Sequence, residues 1–153
     1  MAYTDVITLA DAKLYLRIDD TLTDDDAQIT RMISSALSYV EKWTNVLVYA
    51  RNKDYLIVDG IIRVYDYPIN SVVSPDEADM TITRKTLYTI YEYNTDTDLT
   101  LNVGYANPDD VPQELKDVAL EIIDNMYYRN DWKNMGLSPL SIDILNKHKR
   151  FII

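Results

Sequence analysis

Four stretches of the chain carry apolar residues at steps of three and four, which is the period of an amphipathic helix. In the clearest stretch, Val111–Trp132, one face is formed by Leu115, Val118, Ala119, Ile122 and Met126. The other three stretches are Ile7–Ile18, about Asp25–Trp43 and about Pro139–Lys149. Because a helix as apolar as Val111–Trp132 must bury its face, we expect the other elements to pack on it.

The residues that precede the first two stretches are typical of helix N-termini. Thr8 can cap the first helix, with Asp11 three residues later in a shortened capping box. For the second helix, the predicted cap is Thr23 or Asp24.

The third and fourth stretches also begin with helix-start residues. Pro112 suits a first turn, where its missing N–H costs nothing. Ser138 is the predicted cap of the last helix, with Pro139 at its first position. The predicted inner face of that helix consists of Leu140, Ile144 and Leu145.

Between Asn45 and Tyr105 the pattern changes to short runs of alternating apolar and polar residues, rich in Val, Ile, Thr and Tyr, which indicates strands. Asp59-Gly60 is a typical two-residue turn, so we expect a hairpin between the runs on either side of it. Prolines after Tyr67 and Ser74 should interrupt the sheet, and Asn94–Asp98 is predicted to be a polar hairpin loop. The predicted strands are Leu47–Arg51, Tyr55–Val58, Ile61–Tyr65, Met80–Thr83, Leu87–Tyr93 and Leu99–Tyr105.

These elements predict an α+β fold, a small bundle of about four helices with an antiparallel β insertion between the second and third helices. A length of 153 residues favours one domain. Its predicted parts are the N-terminal helices (1–45), the β insertion (46–105), the C-terminal helices (106–149) and a C-terminal arm (150–153).

The net charge of −10 argues against a nucleic-acid-binding protein, because such proteins gain affinity by neutralising phosphates with Lys and Arg. No apolar run approaches the roughly 18 residues of a membrane span, and Met1–Leu9 lacks the features of a signal peptide. We therefore expect a protein that is made in the cytoplasm and has no membrane partner.

The sequence predicts no enzyme, no catalytic residues, and no metal or cofactor site. It contains no cysteine and a single histidine, His148, which we expect to be a solvated cation near a helix C-terminus. Asn94-x-Asp96-x-Asp98 resembles the start of a calcium loop, but Leu99 and Tyr105 stand where that loop needs Gly and Glu. A catalytic carboxylate pair among the 25 acids, or a ligand surface made by the tyrosines of the β region, stays open.

The chain ends in Phe151-Ile152-Ile153, three large apolar residues behind the bases Lys147, Lys149 and Arg150. A free apolar terminus frays into water unless something holds it. Two alternatives stay open, namely that the segment folds back on its own domain or that it reaches into a partner.

Several segments together resemble the phage head–tail connector (adaptor or head-completion) proteins of tailed phages. The first is ITLADAKLYLRID, which is followed by an acidic gap and DDAQITRMISSALSYVEKWTN. The second is YPINSV, at Tyr67–Val72. The last two are LTLNVGYA before VPQELKDVALEIIDNMYYRND, and the closing LSPLSIDILNKHKR, where the usual Tyr-Arg is replaced by His148-Lys149-Arg150.

The resemblance implies a structural protein of the virion neck, made in the bacterial host, that forms a ring between the portal and the next tail-side neck or stopper protein. Such rings are commonly dodecameric, and they extend a channel through which DNA passes without specific binding. The helix Val111–Trp132 would form the ring wall. The expected subunit interface comprises Trp43, Tyr127, Tyr128 and Trp132, and the expected portal-docking arm comprises Lys149, Arg150, Phe151, Ile152 and Ile153.

Two other functions stay open at this point. A DNA-packaging component resembling a small terminase subunit would need a basic recognition helix, and the sequence predicts none. Another tail or neck completion protein would share most of the features above.

Overall fold

The computed structural model describes residues 1–128 and 136–150 and combines helices with two small antiparallel sheets. The described α-helices are α1 (Tyr3–Val6), α2 (Leu9–Leu16), α3 (Asp26–Thr44), α4 (Gln113–Tyr128) and α5 (Pro139–His148). The strands are β1 (Arg51–Ile57), β2 (Ile61–Val64), β3 (Ile69–Ser74), β4 (Thr81–Arg84), β5 (Thr89–Glu92) and β6 (Thr97–Val103). Short 3-10 turns lie at Glu77–Asp79 and Pro108–Asp110.

The α-helices form a helical body in which α3 packs along α4, while α1, α2 and α5 contact this pair. Ile33, Leu37, Leu115 and Ile123 are fully buried in its core. The apolar stripes predicted for α3 and α4 therefore face each other, as the helical period requires.

Both predicted bounds of the first helix are wrong, because α1 ends at Val6, with Ile7 as its C-cap, and a separate helix, α2, begins after Thr8. Thr8 is the N-cap of α2, and its hydroxyl accepts a hydrogen bond from the backbone N–H of Asp11 at 3.1 Å. The Asp11 carboxylate accepts from the Thr8 N–H in return, so the predicted capping box is present. The helix then ends at Arg17, whose left-handed backbone (φ 58°) closes it before Ile18.

The other three helices keep their predicted positions with shifted ends. The N-cap of α3 is Asp25 rather than Thr23 or Asp24, and its side chain makes no cap hydrogen bond. The helix predicted at Val111–Trp132 is α4, which begins at Gln113 and is described as far as Tyr128; residues 129–135 lie outside the described part. Ser138 caps α5 as predicted, accepting from the Ser141 N–H at 3.2 Å.

The predicted inner face of α5 is partly wrong. Leu145 is fully buried and Ile144 packs against the core, but Leu140 is 69% exposed. Ser141 takes the buried position instead, because its hydroxyl bonds to Glu121 of α4.

The six strands form a β module of two three-stranded antiparallel sheets. In the first sheet β6 lies between β1 and β3, with Arg51 opposite Val103 and Ile57 opposite Thr97. In the second sheet β5 lies between β2 and β4. Buried side chains from both sheets, including Ile57 and Tyr91, share one small core.

The predicted hairpin around Asp59-Gly60 is only one residue pair long. Both turn residues have positive φ, as this turn requires, and the Ile61 N–H donates to the Val58 carbonyl at 3.3 Å. The two strands then separate, because β1 pairs with β6 and β2 pairs with β5. Likewise, Asn94–Asp98 is not a hairpin loop but carries the chain from β5 in the second sheet into β6 in the first.

Two regions of the β module differ from the predicted strands, one before β1 and one at β3. Of the predicted strand Leu47–Arg51 only Arg51 lies in a strand, as the first residue of β1. The Leu47 N–H donates to the Tyr67 carbonyl and its carbonyl accepts from Tyr105, while the Val48 N–H donates to the Glu41 side chain. In turn, β3 was missed between two X-Pro bonds, both of them cis, that suggested an interruption.

The helical body and the β module meet tightly at Gly104, just after β6. This residue has φ +105°, and a Cβ added there would lie 2.0 Å from the Tyr49 carbonyl oxygen. Only glycine allows that approach.

Candidate assembly surfaces

The end of the described chain is held on its own domain by Arg150. Its backbone N–H donates to the Thr44 carbonyl at 2.8 Å, and its carbonyl accepts from Asn45 Nδ2 at 2.7 Å. The guanidinium donates to the carbonyls of Thr86 at 3.0 Å and Leu87 at 3.2 Å. Arg150 therefore joins the C-terminal end of α3 to the turn between β4 and β5.

The Arg150 guanidinium also stacks on an aromatic ring, 4.4 Å from the centroid of Tyr67. Burial lowers the pKa of this guanidinium, and the nearby hydroxyls of Tyr67 and Tyr105 oppose that shift. Of the predicted docking arm, Lys149 and Arg150 are described and are half-buried, whereas Phe151, Ile152 and Ile153 lie outside the described residues.

The first group of predicted interface residues lies at the C-terminal end of α4. The Tyr127 hydroxyl donates to Asp25 at 2.6 Å, and this hydrogen bond raises the pKa of Tyr127. The Tyr128 hydroxyl donates to the Leu16 carbonyl at 2.6 Å, yet the side chain is 60% exposed. Trp132 is outside the described residues.

The remaining predicted interface residue, Trp43, lies at the C-terminal end of α3. Its indole N–H donates to Asn146 Oδ1 of α5 at 3.3 Å, and its ring lies 5.8 Å from that of Tyr39. A helix of 19 residues is about 28 Å long. Because Tyr127 bonds to Asp25 at one end of α3 and Trp43 lies at the other, the described interface residues do not form one patch.

A groove between α2 and α4 was missed by the sequence analysis. It has a volume of about 400 Å³ and is lined by Val6, Ile7, Asp11, Leu14, Tyr15, Gln113, Lys116 and Leu120. Leu14 is 79% exposed and Tyr15 46% exposed. The sequence feature that could have indicated the groove is Leu14, an apolar residue that lies outside the buried stripe of its helix. Tyr128 bonds to Leu16, at the end of the same helix α2 that lines this groove, so the groove and the first group of aromatic residues both contact α2.

A buried carboxylate joins the helical body to the β module. Glu41 of α3 is 6% exposed and binds both guanidinium nitrogens of Arg51, at 3.0 and 2.8 Å. It also accepts from the Tyr3 hydroxyl at 2.7 Å and from the Val48 N–H at 2.9 Å. Burial and the hydrogen bond to Glu41 raise the pKa of Tyr3 to about 12. Every contact of this carboxylate is charge-assisted, so we expect it to fix the joint.

The described residues contain no group of three or more His, Cys, Asp or Glu side chains that could hold a metal ion. Asp96, from the calcium-like run, accepts a hydrogen bond from the Asp59 N–H at 2.8 Å. His148 is not simply solvated, because it is half-buried and its Nε2 lies 3.0 Å from Glu114 Oε2. Within the described part of the chain, no helix is long and apolar enough to cross a membrane.

Comparison with known protein families identifies the N-terminal half of this architecture. Residues 6–74 match the family model described as phage gp6-like head-tail connector protein. The match covers less than half of the chain, and over these residues the chain is similar to that family. The resemblance stated from the sequence is thus confirmed. A search of curated proteins finds no matching sequence.

Chains in solved structures of gene transfer agent particles share the whole fold. A chain from the neck of an empty gene transfer agent particle, computed with C6 symmetry, has a TM-score of 0.81 at 12% identity, covering 97% of this chain and 91% of that one. A chain from the virion of a native particle has a TM-score of 0.80 at 11% identity, covering 100% and 94%. A third, from a native neck computed with C12 symmetry, has a TM-score of 0.75 at 11% identity, covering 99% and 92%. At such low identity these matches establish the shared α+β fold alone.

Proposed function

We propose that the protein is a structural, non-enzymatic component of the virion neck that forms a ring between the portal and the tail. The ring extends the channel through which DNA passes. The observation that carries this proposal is the agreement between the connector family match at residues 6–74 and a fold shared, over 97% of the chain, with a protein of a particle neck. In this role residues 1–153 act as one connector unit.

A head-to-tail ring needs two different, complementary patches on each subunit, because one patch of each subunit binds the other patch of its neighbour. The aromatic residues supply candidates for both. Tyr127, Tyr128 and Trp132 with the groove beside Leu14 would form one patch, and Trp43 at the other end of α3 would belong to the second. The separation of these groups along α3 supports a head-to-tail ring. We propose that the ring is dodecameric, and the C12 symmetry with which one matching neck structure was computed supports this number.

Docking on the portal would use the C-terminal arm, Lys149 to Ile153. Arg150 supports this assignment because its contacts fix the position to which the last three residues are attached. The opposite face of the ring would receive the tail-side neck or stopper protein.

The experiment is a measurement of molar mass by light scattering, with and without the portal protein of the same phage. We expect a ring-sized species, either free or formed on the portal. Leu14→Glu should abolish this species, because it places a charge in the apolar groove at the proposed subunit contact. Leu56→Glu is the matched control, since Leu56 is 58% exposed in the β module and away from that groove.

Two results would contradict the proposal. If the wild-type protein stays monomeric with and without portal, the proposal that it forms a ring is wrong. Retention of that monomer on duplex DNA at low salt would favour a DNA-packaging role instead. If Leu14→Glu still forms the ring, the proposed function stands but the subunit contact does not lie at this groove.

A further inference from the structure

The two long helices of the helical body have outward faces that differ in charge. The buried stripes of α3 and α4 face each other, so the accessible side of each helix points away from the other helix. Accessible side chains at steps of three and four form one row on each helix. The α3 row consists of Arg31, Ser35, Tyr39 and Lys42, and the α4 row consists of Gln113, Asp117, Leu120 and Asp124.

The α3 row combines cations with an aromatic ring. Arg31 and Lys42 are both exposed, and within the described part of the chain no carboxylate pairs with either of them. Between them Tyr39 is 43% exposed, and its ring lies 5.8 Å from that of Trp43. Tyr, Trp and Arg are the residues that contribute most to binding at protein interfaces.

The α4 row is negatively charged. Asp117 accepts a hydrogen bond from Gln113 at 2.8 Å, and no described Lys, Arg or His pairs with Asp117 or Asp124. The negative charge reaches the neighbouring helix α2. Burial, followed by the charges of Asp124, Glu121 and Asp117, raises the pKa of the Tyr15 hydroxyl. A cation of a partner would therefore be attracted to this side of α4.

The α4 row also borders an apolar surface. Leu120 lines the groove of about 400 Å³ beside Leu14, which is 79% exposed, and Lys116 is the one cation among the described lining residues. An apolar centre with a charged rim is the usual composition of a protein interface. The groove and the carboxylates of the α4 row together have this composition.

We propose that the α3 row of one subunit binds the α4 row and the adjoining groove of the next subunit, so that the partner is a second copy of this chain. This inference rests on the proposed ring and adds the two surfaces that meet in it. Opposite charges would steer the contact, and Tyr39 would pack against the apolar groove. Because the two rows point in opposite directions, each subunit offers one row to each neighbour, as a head-to-tail ring requires.

A nucleic acid fits the α3 row less well than a second copy does. Arg31 and Lys42 are about 16 Å apart along the helix, whereas a duplex carries one negative charge per about 1.7 Å of its axis. The net charge of −10 also opposes the approach of a duplex.

The first test reverses the charges of each row in the full chain. Arg31→Glu/Lys42→Glu changes the α3 row, and Asp117→Lys/Asp124→Lys changes the α4 row. For either variant we expect the protein concentration at which half of the chains are in the ring to rise about tenfold. All four substitutions in one chain should bring this concentration back to within about threefold of wild type, because the opposite charges then meet again.

The control for these variants is Arg63→Glu/Arg84→Glu, which makes the same change in charge as the α3 variant at exposed positions on β2 and β4. It should assemble within about twofold of wild type, since neither residue lies in a proposed contact. Circular dichroism checks that each variant keeps its helices. The effect of the row variants should shrink at high salt.

The second test identifies the contact directly. A carbodiimide joins an amine to a carboxylate without a spacer, so mass spectrometry of the treated ring should find Lys42 linked to Asp117 or Asp124. In a mixture of unlabelled and isotope-labelled protein, these links should join the two kinds of chain, because the rows of one subunit point apart. Lys42→Arg keeps the charge but lacks the amine, so it should keep the ring and lose the links.

The outcomes separate this inference from the proposed function. If the wild type forms a ring that either row variant leaves unchanged, or if the combined variant is not restored, the contact is wrong and the connector function stands. Absence of links between Lys42 and α4 in that ring would overturn the contact as well. An α3 variant that keeps the ring but loses retention on a duplex would reassign the row to nucleic acid. A wild type that forms no ring with or without portal would overturn both proposals.

Discussion

The helical body and the β module differ in how their cores are built. Among the described residues, the core of the helical body contains 18 buried apolar side chains, which come mainly from the stripes of α3 and α4. The core of the β module contains seven, shared between two sheets. Since the stabilisation from apolar burial grows with the area removed from water, the helical body gains more free energy of folding from its core than the β module does.

The two regions are joined by contacts of another kind. Glu41 binds Arg51 and the Val48 N–H on one side, and Arg150 binds the Thr86 and Leu87 carbonyls on the other. Polar contacts of this type depend on direction, whereas apolar packing does not. The comparison teaches that the position of the β module on the helical body depends on a few polar residues, whereas each core depends on apolar packing. Substitutions at the joint and in the two cores test this.

The largest effect is expected at the joint. Glu41→Ala removes the carboxylate and leaves Arg51, Tyr3 and the Val48 N–H without their acceptor, so we expect a loss of about 3–5 kcal/mol in the free energy of unfolding. Urea denaturation measures it. Asp143→Ala breaks a pair exposed on both sides and should cost less than about 1 kcal/mol. Equal losses in the two variants would mean that the joint contributes no more than a surface pair.

A matched pair of core substitutions compares the two regions directly. Leu37 in α3 and Leu99 in β6 are both fully buried. Leu→Ala at such sites costs about 2–5 kcal/mol, depending on how far the surroundings collapse. We expect Leu37→Ala near the upper end and Leu99→Ala near the lower end, because the smaller core has fewer constraints on its collapse.

Hydrogen exchange sharpens the same comparison. Leu99→Ala should speed exchange in β5 and β6 more than in α3. Uniform acceleration across both regions would instead show that the helical body and the β module unfold as one unit.

The smallest effect is expected for Tyr3→Phe, which deletes one hydrogen bond to Glu41 and should cost about 1 kcal/mol at pH 7. The pKa of Tyr3 is about 12 in the folded protein, above its ordinary value of 10.0. Its contribution is therefore complete below pH 10 and is lost as pH rises through 12.

Urea midpoints at pH 7, 10 and 11.5 test this, because the variant should lose less stability than wild type over the alkaline range. Tyr39→Phe, at a ring that is 43% exposed, is the control and should follow the wild type. A parallel decline for Tyr3→Phe and wild type would show that the Tyr3 hydroxyl does not couple folding to pH.

The helices and their caps could be predicted because the evidence for them is local. The stripe of α3, the capping box of Thr8 and Asp11 and the cap at Ser138 each depend on residues within a few positions of one another. The family resemblance rested on similar short segments, and the match at residues 6–74 confirms it.

Strand partners could not be predicted, because pairing joins residues far apart in sequence. The turn at Asp59-Gly60 has the expected geometry, yet β1 pairs with β6, which begins some forty residues later. The same limit applies to the surfaces. Nothing near Leu14 in sequence indicates that α4 lies beside it, and nothing near Arg150 indicates that Thr86 does.

The sequence by itself therefore determined the helices, the region of strands, the acidic character and the resemblance to connector proteins, since periodicity, capping and charge are properties of neighbouring residues. Only the tertiary structure decided how the strands divide into two sheets, that Glu41 joins them to the helices, and that the chain end meets the β4–β5 turn. The physical reason is that these contacts exist only after distant segments have been brought together, and their partners are chosen by the burial of the whole core.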